Sequence, residues 1–210
     1  LYAGKFRITN ECINTVWSAI VGSMPLPTTT GFALPPGKSY TVTMPTGEVK
    51  IWARTLCSDS IAGNFSCVTG DCGSSNIDCR GGNTNPNPPV TLAEFTLNGS
   101  DWLDYYKVSL TEGFNLPMRI EPGGRTGAGS CRATGCRRDL NQKCPTKLKV
   151  IKEGGDVVGC QSLCQVHETC KSNLFSEFSK SNALRLTNIP PLPVRRLNII
   201  PSLSALSPPK

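Results

Sequence analysis

The chain has 210 residues, of which 38% are apolar and 18% charged, so it is long enough for one domain with a substantial core. Its 20 Gly and 17 Pro argue against a helical bundle and favour short strands joined by ordered turns. The net charge of +7 does not indicate a nucleic-acid partner, because the acid-free tail 183–210 supplies much of it and the short basic runs 137–138 and 147–149 lack interleaved aromatic residues.

The sequence from residue 1 to 54 predicts a β core that begins at the first residue. Alternating or β-branched segments at 5–9, 15–17, 40–44 and 49–54 are separated by Gly and Pro turns, a spacing typical of a sandwich or barrel. The strands resume at 91–97 and 105–110, with Asn98-Gly99 as a hairpin signal between them. We therefore assign residues 1–54 and 90–137 to one all-β core.

Two Cys-rich segments interrupt or follow this core. Residues 55–89, here called the excursion, contain four Cys and a Pro- and Asn-rich run, which predicts a small disulfide-stapled loop domain. Residues 138–182 form a second disulfide-rich domain, with a short helix predicted over 173–181. Residues 183–210 contain six Pro and neither Cys nor aromatic residues, and we assign them to an atypical tail.

Eleven cysteines favour a secreted, disulfide-bonded protein, although the odd number leaves one thiol over. Zinc is the competing interpretation, but His167 is the only histidine and there is no CxxC pair, so we predict no metal. The sequons at Asn64 and Asn98 are glycosylation candidates that fit a secretory route.

No segment approaches about 18 uninterrupted apolar residues, so we expect no membrane span. No basic and apolar leader precedes Leu1, and we expect a mature chain whose signal peptide has been removed.

Six sequence blocks follow one another along the chain: Asn10-Glu11-Cys12 with Thr15-Val16-Trp17, Lys50 to Cys57, Thr69-Gly70-Asp71-Cys72-Gly73, Thr91 to Phe95, Gly113 to Met118, and Cys144 to Leu148. Together these blocks resemble the thaumatin-like proteins, the plant defence family that includes osmotin and thaumatin. The resemblance covers about residues 1–182 and is closest to the larger fruit-type members. It implies a flattened antiparallel β-sandwich, two disulfide-rich domains, and a cleft between the core and the helix-bearing domain.

The resemblance also implies a disulfide pattern. It pairs Cys57 with Cys67, Cys72 with Cys79, and Cys144 with Cys160, and it leaves Cys164 and Cys170 to bond to each other. In the family, the counterparts of Cys12, Cys131 and Cys136 pair with cysteines near the end of the chain. This sequence has none there, so we expect these three cysteines to be unpaired as written.

The tail can be interpreted as a shifted reading frame. One base out of frame, its codons permit Cys near positions 183, 194 and 205 and an aromatic closing strand ending in Phe-Cys-Pro, much as in the family. We favour this interpretation over a natural truncated variant. As written, Pro190, Pro191 and Pro193 remove ladder donors, so we expect residues 183–210 to be irregular chain with weak packing.

Many family members line the cleft with one basic residue and four acids. The basic position falls on Lys50 and the first acid on Glu94, but the second becomes Lys107 and inverts the charge. The third acid is Glu112, and the fourth is lost with the tail. Glycoside hydrolysis needs two carboxyl groups flanking the bond, so Glu94 and Glu112 are the candidate catalytic pair.

Less reactive interpretations of the same residues remain open. Glu94 and Glu112 are alternatively carboxylates satisfied by Lys50 and Lys107. Asp101 and Asp104 add acidity to the cleft or are simply solvated beside a turn. Tyr105 and Phe114, with Phe95 and Tyr106, form a sugar-stacking face or belong to the core.

We expect a secreted, monomeric plant defence protein without a cofactor, which binds fungal wall β-glucan or membrane components through the cleft. One alternative is a weak endo-β-1,3-glucanase that uses Glu94 and Glu112. The other is a protein-recognition role, such as inhibition of hydrolases or binding to a taste receptor.

Overall fold

The computed structural model describes residues 4–82, 84–99, 104–123, 133–162 and 198–203 of the chain. Within these ranges the protein is all-β, as expected, with antiparallel sheets and two 3-10 turns at Asn141–Lys143 and Thr146–Leu148. The helix predicted over 173–181 lies outside the described residues. The strands are β1 (Gly4–Asn10), β2 (Val16–Gly22), β3 (Gly31–Leu34), β4 (Ser39–Met44), β5 (Gly47–Asp59), β6 (Phe65–Thr69), β7 (Leu92–Leu97), β8 (Tyr105–Ser109), β9 (Met118–Gly123), β10 (Thr134–Cys136), β11 (Lys149–Ile151), β12 (Val157–Cys160) and β13 (Asn198–Leu203).

Two sheets form the sandwich. One has the order β10-β9-β13-β1-β4, and the other has the order β3-β2-β5-β7-β8 with β6 added to the far end of β5. A small two-stranded sheet pairs β11 with β12. The alternation seen in the sequence sets the faces: in β1, Phe6 and Ile8 are buried while Lys5 and Arg7 are exposed.

The main core lies between the two sheets. Phe6 from the first sheet meets Phe95 from the second edge to face, with ring centroids 4.9 Å apart. Buried aliphatic side chains from both sheets surround this pair, including Ile8, Val42 and Ile51. Burial of this apolar surface provides most of the stabilisation of such a sandwich.

A second, smaller core covers part of the outer face of the β3-β2-β5-β7-β8 sheet. Trp52 from β5 and Leu92 from β7 pack there against Val90 and the Cys72–Cys79 bridge of the excursion. The Trp52 indole N–H donates a 2.6 Å hydrogen bond to the Gly70 carbonyl. The excursion is therefore docked on the sheet by an apolar cluster with its own buried hydrogen bond.

Arg54 attaches the same excursion through charge. Its side chain is 1% exposed, and Nη2 donates to the carbonyls of Ser18 at 3.0 Å and Ile77 at 2.6 Å. Burial lowers the pKa of Arg54 to about 10, against the opposing effect of Asp71 and Asp78. The guanidinium therefore links Ser18 of strand β2 to Ile77 of the excursion.

The described residues contain three disulfides, Cys57–Cys67, Cys72–Cys79 and Cys144–Cys160, which are the three short-loop pairs that the resemblance implies. Cys12 is buried in the main core. Cys131, Cys164, Cys170 and the side chain of Cys136 lie outside the described residues.

The tail contributes a strand, and our expectation of irregular chain is wrong for residues 198–203. This strand, β13, lies between β1, to which it is parallel, and β9, to which it is antiparallel. Its pairing with β1 skips residues 200 and 201, where Pro201 has no N–H to donate. The shifted reading frame stays a prediction, which an intact mass with a C-terminal peptide map checks.

Candidate functional site

A groove of about 550 Å³ lies on the outer face of the second sheet, beside the area that the excursion covers. The described residues provide its sheet side. Strands β5, β7 and β8 contribute all of them. Alternate side chains of neighbouring strands project to the groove face, and the residues between them border the groove while their side chains belong to the main core. The lining residues are Glu48, Val49, Lys50, Glu94, Phe95, Thr96, Tyr105, Tyr106 and Lys107.

Strand register brings three of the expected cleft residues into one row. Lys50 of β5 is directly opposite Glu94 of β7, and Glu94 is directly opposite Lys107 of β8. Directly opposed residues on one face have Cβ atoms about 4.5–5.5 Å apart. The row therefore runs across the groove with alternating positive, negative and positive charge.

The partners within this row are specific. Lys107 Nζ lies 2.8 Å from Glu94 Oε2, and the Glu94 side chain is 23% exposed. Lys50 Nζ instead donates a 2.8 Å hydrogen bond to Asn85 Oδ1 of the excursion. Glu94 is thus ion-paired with Lys107, and Lys50 joins the groove to the excursion.

Glu48 is a groove residue that the sequence analysis missed. It lies two residues before Lys50 on β5, so both project outward, and this i, i+2 spacing was the available signal. Its backbone N–H donates to Ser23 Oγ at 3.3 Å. A second depression of about 280 Å³ shares Glu48 and Lys50 and continues toward Val21, Ser23 and Thr84.

The aromatic candidates divide between groove and core. Tyr105 is half-buried and lines the groove, whereas Phe114 is fully buried and bridges to Cys160 through its backbone. Phe95 and Tyr106 border the groove, but their side chains belong to the main core. In the described part of the groove, Tyr105 is therefore the aromatic side chain that is accessible for stacking against a sugar ring.

The remaining acidic candidates do not line the described side of the groove. Glu112 lies in the turn after β8, where its carbonyl accepts a 2.9 Å hydrogen bond from the Val90 N–H. Asp104 is 2% exposed, and its Oδ1 accepts a 2.7 Å hydrogen bond from the Asn98 N–H. The alternative that Asp104 is solvated is wrong, because its side chain is buried and its carboxylate accepts the Asn98 N–H. Asp101 lies outside the described residues.

The described ranges show neither a metal-binding cluster nor a membrane-spanning helix. No cluster of three His, Cys, Asp or Glu side chains able to hold a metal was found there. Within the same ranges, no helix has the length and apolar character needed to cross a membrane.

The sequence of the chain is similar to those of known proteins. The sequence model of the thaumatin family matches residues 10–187. The chain is 44% identical over 169 residues to pathogenesis-related protein 5 of Arabidopsis thaliana, which covers 80% of the chain and 67% of that protein. It is 41% identical over 167 residues to thaumatin-like protein 1 of Pyrus pyrifolia, covering 78% of the chain and 67% of that protein.

Among solved structures, the thaumatin-like xylanase inhibitor TLXI is 39% identical, with a TM-score of 0.47 over 60% of this chain and 81% of that one. The chain spans about two thirds of the length of the two plant relatives. The three disulfides in the described ranges are consistent with the secretory pathway. The family match covers most of the sequence, and the chain belongs to the thaumatin family.

Proposed function

We propose that this thaumatin-like protein is a secreted defence protein that binds β-1,3-glucan of the fungal wall in its groove without hydrolysing it. The defence role is supported by the pathogenesis-related relative that covers 80% of the chain. The choice of ligand rests on the chemistry of the groove.

The groove is suited to an uncharged polyhydroxyl chain. Its described lining contains two lysines and two glutamates, so their formal charges cancel, and each of these groups can hydrogen-bond to a sugar hydroxyl. Tyr105 adds an aromatic surface, which favours contact with the apolar face of a pyranose ring. The second depression lengthens the site for a linear polymer.

The ion pair between Lys107 and Glu94 is the observation that favours binding over hydrolysis. A glycosidase needs one carboxyl group free to protonate the leaving oxygen and a second one across the bond. Here Glu94 Oε2 is occupied by an ammonium group at 2.8 Å, and Glu112 does not line the described groove. These two observations support binding rather than hydrolysis by Glu94 and Glu112.

A weak glucanase remains the second candidate because Glu48 brings another carboxylate into the same groove. Glu48 is opposite Thr96, which is two residues from Glu94 on β7, so the two glutamates are diagonal neighbours. Diagonal pairs are about 7–8 Å apart between Cα atoms. An enzyme built on this groove would therefore use Glu94 with Glu48.

Calorimetric titration with laminarin oligosaccharides tests the proposal. Native protein should bind, and Tyr105→Ala should weaken binding about tenfold, which corresponds to about 1.4 kcal/mol. Tyr40→Ala, which removes an exposed tyrosine of β4 outside the groove, is the matched control and should leave affinity unchanged. No laminarin binding by native protein, or equal losses in both variants, would contradict the proposal.

Reducing-sugar release from laminarin separates the two candidates. We expect native protein to release no reducing sugar. If native protein releases reducing sugar and both Glu94→Gln and Glu48→Gln do not, the protein is a glucanase instead. Lys107→Asp restores the acid of the family pattern and frees Glu94, so it should raise either glucan affinity or turnover. Binding to lipid vesicles or to a hydrolase, with none to laminarin, would favour the membrane or protein-recognition alternatives.

A further inference from the structure

Strands β5 and β6 extend beyond the second sheet as a two-stranded arm, residues 55–69. The Cys57–Cys67 disulfide joins its two strands, and the loop from Ser60 to Asn64 closes its tip. In that loop the Ser60 N–H donates to the Asn64 carbonyl at 2.9 Å, and the Asn64 N–H donates to Ser60 Oγ at 3.1 Å. The backbone at Asn64 is therefore fixed by the hairpin itself.

The side chain of Asn64 is available, in contrast to its backbone. Asn64 is exposed, and no described residue hydrogen-bonds its carboxamide. It begins the sequon Asn64-Phe65-Ser66, whose serine is also exposed. A group attached to Asn64 Nδ2 would project into solvent without displacing any contact of the arm.

The other sequon, Asn98-Gly99-Ser100, is in a different position. Asn98 is partly buried, and its N–H is held by the carboxylate of buried Asp104. It also directly follows β7, whose residues Glu94 and Thr96 line the groove. A bulky group at Asn98 would have to be accommodated beside the buried Asp104 carboxylate and close to the groove.

The arm also carries three exposed large apolar side chains. Ile61 at the tip is fully exposed, and Leu56 and Val68 are each nearly half-exposed. Leu56 and Val68 lie at the same height on the two strands, between the pairs Thr55–Thr69 and Cys57–Cys67. A hydrated group at the tip would cover apolar surface that otherwise favours association.

We propose that Asn64 is an N-glycosylation site and that Asn98 is not occupied. The donor class is a lipid-linked pyrophosphate oligosaccharide of the secretory pathway, the route that the disulfides indicate. The bond between the sugar C1 and the pyrophosphate oxygen breaks, a bond between C1 and Asn64 Nδ2 forms, and Nδ2 loses one proton. The lipid pyrophosphate is the leaving group, and no oxidation or reduction takes place.

Expression of the full chain behind a secretory leader in plant cells tests this site. Glycopeptide mapping should place one glycan at Asn64, and Ser66→Ala should abolish it without changing the asparagine. Ser66→Thr, which keeps the sequon, should retain the glycan, and Ser100→Ala should have no effect on the mass of the attached sugar.

Thermal unfolding and mapping of the Cys57–Cys67 bridge establish that each secreted variant is folded. An unmodified Asn64 in folded native protein would overturn the proposal, as would a glycan found at Asn98 and lost in Ser100→Ala. The state of Asn64 does not bear on laminarin binding, since the arm lies outside the described lining of the groove.

Discussion

The outer face of the second sheet has two regions, an open groove and an area covered by the excursion, and they are only two residues apart along β5. Lys50 and Trp52 both project outward from β5, yet Lys50 lies in the polar groove whereas Trp52 is fully buried. The rows follow the same division: Glu94 pairs across from Lys50, and Leu92 pairs across from Trp52. The difference arises from the excursion, which covers the row of Trp52 and leaves the row of Lys50 open.

This comparison shows that the excursion defines the groove as well as the second core. Asn85 of the excursion holds the Lys50 ammonium at the boundary between the two halves. Arg54 lies two residues after Trp52 on the same face of β5. Its guanidinium hydrogen-bonds to both Ser18 of β2 and Ile77 of the excursion, and so holds the excursion against the sheet. Changes in the covered half should therefore affect stability, and changes in the open half should affect binding.

The largest expected effect comes from removing the side chain that docks the excursion. Trp52→Ala leaves a cavity in the second core and deprives the Gly70 carbonyl of its donor, so it should cost about 3–5 kcal/mol of unfolding free energy. Thr96→Ala, in the open half of the same face, is the matched control and should stay within about 0.5 kcal/mol. Urea unfolding measures both, and similar losses would show that the two halves do not differ.

A smaller expected effect comes from removing disulfides of the excursion, and it distinguishes the contribution of buried contacts from that of loop closure. The Cys72–Cys79 and Cys57–Cys67 bridges span 7 and 10 residues, so loop entropy alone makes removal of each cost roughly 2–3 kcal/mol, slightly more for the longer loop. Cys72 and Cys79 are buried in the second core, whereas Cys57 and Cys67 lie on the half-exposed arm.

We therefore expect the double Cys→Ala variant at 72 and 79 to lose about 1 kcal/mol more than the one at 57 and 67, because it also loses buried contacts. Chemical denaturation of the two double variants gives the order. The reverse order would mean that loop closure alone determines the contribution of these bridges.

The resemblance to the family, rather than strand alternation, named Lys50, Glu94 and Lys107 as cleft residues, and strand register explains why they lie together. Lys50, Glu94 and Lys107 occupy outward positions of neighbouring strands, and the structure brings them into one row. Residues in connections were less predictable. Asp104 has the sequence surroundings of a solvated turn residue, but the N–H of Asn98 draws its carboxylate inside.

In the tail, the sequence analysis expected irregular chain where residues 198–203 form a strand. Its prolines argued against any strand, yet Pro190, Pro191 and Pro193 all precede β13, and Pro201 is tolerated where the ladder to β1 is interrupted. Isolated prolines therefore argue against pairing only at the positions where the partner strand needs their N–H. The β-branched pair Ile199-Ile200 was the signal that favoured a strand.

The smallest expected effect is a pH dependence confined to the covered half. Asp78 of the excursion accepts hydrogen bonds from Thr30 Oγ1 and, at 2.9 Å, from the Arg80 N–H. Burial opposes ionisation of this carboxyl, but these bonds and the Arg80 charge outweigh it and lower the pKa of Asp78. Its stabilisation is therefore present above the unfolded pKa, about 3.9, and is lost as pH falls through the lower folded value.

Asp78→Asn keeps an oxygen acceptor but removes the charge, so it should flatten the decline of unfolding free energy between about pH 5 and pH 2. At neutral pH the variant should lose less than about 1 kcal/mol, because the side chain is 38% exposed and water screens the charge. Asp156→Asn, which removes a more exposed carboxylate paired with Lys152, is the control and should follow the native curve. Urea unfolding at several pH values gives the unfolding free energy of all three proteins as a function of pH. If native protein and Asp78→Asn lost the same free energy between about pH 5 and pH 2, the ionised Asp78 carboxylate would not contribute to docking of the excursion.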